Sequence, residues 1–91
     1  MKYAKERNFL RLLPDFMLDE FLKFNVLNDI EKKIIYYMFK EQKSIRDIAD
    51  LGLLNYEKSS LYHFYENGLL KIREWIKKTE KKAYKQVYKI F

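Results

Sequence analysis

Ser44-Ile45-Arg46-Asp47-Ile48-Ala49-Asp50-Leu51-Gly52-Leu53-Leu54-Asn55-Tyr56-Glu57-Lys58-Ser59-Ser60-Leu61-Tyr62-His63-Phe64-Tyr65-Glu66-Asn67-Gly68, running straight into Leu69-Leu70-Lys71-Ile72, is the stretch on which the fold turns. Ser44 is a helix cap supported by Asp47 three residues on. It starts a short helix with Ile45, Ile48 and Ala49 inward and Arg46 and Asp50 outward. Asp50 to Asn55 reads as a turn, with Gly52 free to take positive φ and Asn55 suited to cap the next helix. From Tyr56 to Glu66, positions 61, 64, 65 and 68 share one face. Leu61, Phe64 and Tyr65 are therefore expected inside, and Tyr56, Ser59, His63 and Glu66 opposite them. Asn67-Gly68 is expected to end the helix, because glycine accepts the left-handed conformation that closes one.

Beyond Gly68 the rhythm changes. Leu70, Ile72 and Ile76 alternate with Lys71, Arg73, Trp75 and Lys77, and later Tyr84, Tyr88 and Ile90 alternate with Lys85 and Lys89. A period of two is that of half-buried strands, and Lys78-Thr79-Glu80-Lys81-Lys82 between them is polar enough for a hairpin tip. The rival is one long helix with a seam through Leu69, Ile72, Ile76, Ala83 and Ile90. Thr79 interrupts that seam, and Tyr84 to Phe91 is rich in β-preferring residues, so the hairpin is expected.

Upstream, Asn28-Asp29-Ile30-Glu31 is a capping box that opens a helix to about Glu41, with Ile30, Ile34, Ile35 and Met38 on one stripe. Residues 2–13 have helical spacing, Pro14 ends them, and Asp15 is expected to cap a second helix from Phe16 to about Phe24. Met17, Leu18, Phe21, Leu22 and Phe24 cover more than half of that helix, which exceeds the need of one small core. Residues 1–27 are thus expected to form a helical arm that dimerises the protein. The alternative is an arm packed on its own domain.

The whole chain has 91 residues, a single domain's worth, with 48% hydrophobic and 18% aromatic residues, a net charge of +6 and no cysteine. A chain this short buries only roughly 60–65% of its unfolded surface. The absence of cysteine removes disulfides, thiol nucleophiles and thiolate metal sites and is the look of a cytoplasmic chain. No apolar run reaches the roughly 18 residues of a membrane span. Residues 57–91 hold nine basic and four acidic residues, against five and four in 1–27 and five and five in 28–56. A local basic surplus is the footprint expected of a phosphate-binding face, or else of a solvated lysine-rich tail.

Ile45-Arg46-Asp47-Ile48-Ala49, Leu61-Tyr62-His63-Phe64-Tyr65-Glu66-Asn67-Gly68-Leu69-Leu70 and Val87-Tyr88-Lys89-Ile90 together resemble winged helix-turn-helix transcription regulators of the ArsR, MarR and PadR kinds over about residues 28–91. Two departures are visible: the family's buried aliphatic early in the recognition helix falls on Glu57, and the wing tip lacks the usual Gly or Arg. The promoter-reading domain of bacterial sigma factors is similar up to Gly68 and has a helix afterwards.

The regulator resemblance implies a mainly α fold with a small β-hairpin, a winged helix-turn-helix domain preceded by N-terminal helices, with the wing at about 69–91. It implies sequence-specific binding of double-stranded DNA by a homodimeric transcription regulator. The recognition helix, about 56–67, would lie in the major groove and bring Tyr56, Lys58, Ser59, Ser60, Tyr62 and His63 to the bases. Arg73, Lys77, Lys78, Lys81, Lys82 and Lys85 of the wing would meet phosphates. No cofactor or metal is implied. Enzyme chemistry is disfavoured: two glycines make no phosphate loop, and His63, the one histidine, has no catalytic partner set by spacing. The other class of function that fits is a protein-interaction adaptor working through the apolar arm.

Overall fold

The computed structural model describes residues 2–24 and 26–90, with side chains as far as Thr79. Five α-helices follow one another among the described residues: α1 (Ala4–Leu12), α2 (Asp15–Lys23), α3 (Asp29–Ile35), α4 (Ile45–Asp50) and α5 (Lys58–Ile90), with a π-helical segment, Tyr36–Lys40, prolonging α3. None of these helices is long and apolar enough to cross a membrane.

The caps form as the sequence requires. Asn28 Oδ1 accepts from the Glu31 N–H at 2.9 Å, and Glu31 Oε1 accepts from the Asn28 N–H at 2.9 Å. Ser44 and Asp47 repeat the exchange at 3.1 and 3.2 Å. Between α1 and α2, Leu13 is extended at ψ 126° ahead of Pro14, as a residue before proline should be. Pro14 itself occupies the cap of α2, so Asp15 is the first helical residue rather than the cap. There its carboxylate still meets the positive end of the helix dipole.

The expected β-hairpin is overturned. α5 runs from Lys58 through Asn67-Gly68 to Ile90, and no strand occurs among the described residues. Leu61, Tyr65, Leu69 and Ile72 are all buried, with Ile76 packed against them, and these positions continue one helical stripe without a break. Ile72 and Ile76 fit both a two-residue and a helical period. The discriminating pair is Leu69, buried, and Leu70, 43% exposed, which is the reverse of what a strand needs. Thr79 does not interrupt the helix: it donates its hydroxyl to the Trp75 carbonyl at 2.9 Å and so stays within it. Among the described residues the wing is absent, and with it the winged form of the fold.

Gly68 therefore stops nothing. It is buried where α5 crosses α3, and a Cβ there would lie 3.6 Å from Glu31 Cβ and 3.8 Å from Leu27 Cδ2. Gly52 is the glycine that needs its freedom, at φ +62° in the turn between α4 and α5. Asn55, expected to cap α5, does not; the Glu57 carbonyl accepts the first α5 bond, from the Leu61 N–H at 3.0 Å.

The two glycines should respond oppositely to alanine. Gly68→Ala places a methyl at ordinary van der Waals distance inside a helix and should stabilise by about 0.5–1 kcal/mol. Gly52→Ala forces a side chain into the left-handed region and should cost about 1 kcal/mol or more. Urea midpoints at unchanged m-value read both. A loss of stability in Gly68→Ala would return that residue to a helix end.

The arm packs on its own domain. Leu10, Leu18 and Phe21 are buried, and Phe9, Phe21 and Trp75 of α5 form an aromatic cluster with ring centroids 5.2–5.9 Å apart. On its outer side the arm leaves Leu12, Phe16, Met17 and Phe24 exposed.

Candidate nucleic-acid interface

The outward residues of the first turns of α5 stand as the helical period places them. Lys58, Ser59, Tyr62 and His63 are exposed and Ser60 is half-buried. Their inner neighbours Leu61 and Tyr65 hold the helix against α3 and α4. Tyr56, just before the helix, is braced edge-on against Phe64 at 5.0 Å and remains about half exposed. Lys58 Nζ sits 6.0 Å over the Tyr62 ring, and His63 Nε2 lies 3.3 Å from Asn67 Nδ2.

Beside this face lies a depression of about 610 Å³ between α1, the π segment and α5, which also takes in Tyr62 and Glu66. Lys2, Arg7 and Arg11 line it. Arg7 Nη2 donates to the Lys2 carbonyl at 3.0 Å, which ties the chain start to α1. Burial raises the Tyr65 phenol above its ordinary value, while the charges of Arg7 and Arg11 pull it back. Both guanidinium groups therefore act on the interior of the depression. Sequence reasoning misses these three cations, although Arg7 and Arg11 are four apart and so share a face of α1.

The cations expected from the wing are distributed differently. Arg73 is turned against α1, where its Nε donates to Glu6 Oε1 at 3.0 Å and its guanidinium lies 4.5 Å from the Tyr3 ring centroid. It is occupied in structure and does not join the α5 face. Lys71 is likewise engaged, donating to the buried Glu31 at 2.8 Å. Lys77 and Lys78 are exposed but follow Lys58 by roughly 30 Å along the helix, at about 1.5 Å per residue. Lys81, Lys82 and Lys85 lie outside the residues whose side chains are described.

Glu6 is a buried carboxylate that sequence alone leaves as an ordinary surface residue. Burial favours its neutral form, but the hydrogen bond from Arg73, its own backbone N–H and the charges of Arg73 and Lys5 outweigh burial and hold it below its ordinary 4.5. Because the folded value is the lower one, the stability it contributes is complete above about pH 4.5 and is lost as pH falls through that lowered value. Glu6→Gln should remove this part of the acid sensitivity. Thermal midpoints from pH 6 to pH 3 should then fall less steeply than in the parent, and parallel curves would contradict the assignment.

Among the described residues no three His, Cys, Asp or Glu side chains gather as a metal site would need. The exposed face of α5 thus carries polar side chains, and Lys2, Arg7 and Arg11 line the depression beside it. Comparison with protein-family models, with curated proteins and with solved structures gives no match to this chain.

Proposed function

We propose that the protein binds double-stranded DNA as a helix-turn-helix regulator without a wing. The observation that carries this is the exposed run Lys58, Ser59, Tyr62 and His63 on the first turns of α5, bordered by Lys2, Arg7 and Arg11. A helix end with polar side chains outward, backed by α3 and α4, has the form that enters a major groove, and flanking cations meet phosphates on either side. Of the two resemblances, the promoter-reading one expects a helix after Gly68, and α5 supplies it. Neither Arg nor Gln stands among the outward residues, so direct reading of bases is modest and backbone contacts supply most of the affinity.

The experiment is duplex binding across a salt series. With about three cations at phosphates, Lys2, Arg11 and Lys58, log affinity should fall with log salt at a slope near −3. Arg11→Glu with Lys58→Glu should weaken binding by roughly tenfold or more on every sequence and flatten that slope, whereas Tyr62→Ala should alter sequence preference. Binding that is missing at low salt, or indifferent to salt, rules the proposal out.

Homodimerisation belongs to the same proposal. It rests on the outer side of the arm, where Leu12, Phe16, Met17 and Phe24 are exposed. The same patch supports the second reading, an adaptor that docks a protein partner there. A dimer that Phe16→Ser dissociates without loss of fold favours the first; a monomer at all concentrations favours the second.

A further inference from the structure

We propose that the groove between α3, the π segment and the turn before α5 docks an amphipathic helix of a partner protein, one whose apolar face is bordered by acidic residues. The proposal is independent of the DNA reading above.

The turn is apolar where turns are ordinarily polar. Leu51, Leu53, Leu54 and Tyr56 all fall within it, and Leu51 and Tyr56 are 62% and 47% exposed. It is nevertheless fixed: the Leu53 N–H donates to the Ile48 carbonyl at 3.1 Å and the Tyr56 N–H to the Leu54 carbonyl at 2.8 Å. Leu53 and Leu54 pack on the core and also line two depressions of about 340 and 550 Å³. The two share Lys33, Leu53 and Leu54 and so form one groove. Leu22, Tyr36 and Tyr37 extend it on one side and Ile30 and Tyr56 on the other. A groove whose walls are already ordered binds with little further loss of entropy.

Length and charge then select the occupant. Ile30 to Tyr37 spans about 10 Å at about 1.5 Å per residue, the length over which a helix presents anchors at i, i+3 or i+4, and i+7. An extended peptide is disfavoured, because no strand among the described residues offers it a sheet edge. Lys32 and Lys33 line the groove and no carboxylate does. Glu31, next to them in the chain, is turned inward and accepts from Lys71 instead. The apolar floor with cations at its edge therefore matches an apolar helix face with acids beside it. A second copy of the chain would bring the same surplus of +6, and duplex DNA has no apolar ridge to fill the floor.

The test uses a synthetic helical peptide of about 15 residues with leucines at i, i+4 and i+7 and glutamates flanking them, and a counterpart with lysines in place of the glutamates. Each is titrated into the full chain with amide chemical shifts as the readout. Saturable shifts at Lys33, Tyr37 and Leu54 are expected, with the glutamate peptide binding about tenfold more tightly than the lysine one. Lys32→Glu combined with Lys33→Glu should invert that preference, and these side chains lie outside the core, so the variant keeps the fold. Leu54→Ser should weaken both peptides by about tenfold or more. Equal binding of the two peptides, shifts centred elsewhere or no saturation would overturn the proposal. So would movement of the same three amides on diluting the free chain, which gives the groove to a second copy, or on adding duplex DNA, which gives it to the nucleic-acid face.

Discussion

Replacing Phe21 with alanine is expected to cost about 3–5 kcal/mol, the usual range for removing a buried phenylalanine. Phe21 is 5% exposed and meets Phe9 and Trp75 edge-on, so its loss removes both aromatic contacts and leaves a cavity between the arm and α5. At about 0.05–0.15 kcal/mol per residue a 91-residue domain has only about 5–14 kcal/mol to lose. The variant should therefore be largely destabilised or unfolded near 37 °C, with the near-ultraviolet signal of Trp75 collapsing in the same transition. Chemical denaturation at two protein concentrations separates the causes. If the arm serves its own core, the loss is the same at both. A loss below about 1 kcal/mol, or one that appears only on dilution, would make the arm an intermolecular element instead.

Glu31→Ala is expected to cost about 2–4 kcal/mol, which is large for a charged residue of a small protein. Glu31 closes the α3 capping box, accepts from Lys71 and lies under Gly68 at the crossing of α3 and α5. Removing it leaves the Asn28 N–H without its acceptor and a gap beside Gly68, which accounts for most of the loss. The bond to Lys71 adds less, because that side chain is 44% exposed and its charge is screened by water. Glu31→Gln keeps an acceptor for Asn28 and fills the gap, so it should cost about 1 kcal/mol. Gly68→Leu alone overfills the crossing, yet it should be partly tolerated in combination with Glu31→Ala, with a coupling of order 1–3 kcal/mol in the double-mutant cycle. Independent effects in that cycle would separate the two residues.

The elements legible in the sequence are those set by near neighbours. Asn28 with Glu31, and Ser44 with Asp47, place two helix starts within three residues of chain, and Gly52 marks the turn. Leu61 and Tyr65 follow from helical period alone. The misreading begins at Asn67-Gly68, which locally matches a helix stop. Gly68 instead packs beside Leu27 and Glu31, some forty residues earlier, with room left for a methyl, and short-range pattern carries no trace of that contact. Once a stop is assumed, Ile72 and Ile76 fit a strand as well as a helix, and a wing becomes the natural continuation. The π segment has no signal in composition.

The candidate interface divides the same way. The outward set on the first turns of α5 is readable from period, whereas the cations beside it lie on or just before α1 and not, as the lysine surplus suggests, after Gly68. Arg73 resembles a phosphate ligand in the sequence because its partner, Glu6, is 67 positions away. A half-buried ion pair between distant parts of the chain is invisible to any window along the sequence.

Because α5 turns one side to the core and the other to solvent over its first turns, the requirements of folding and of the DNA binding proposed above fall on different letters of the same segment. Leu61, Tyr65, Leu69 and Ile72 are held fixed by packing, while Lys58, Ser59, Tyr62 and His63 contribute nothing to the interior. The latter four can be exchanged in evolution or in a library with little loss of fold, so on the proposed DNA reading one scaffold would be retuned by changing four codons.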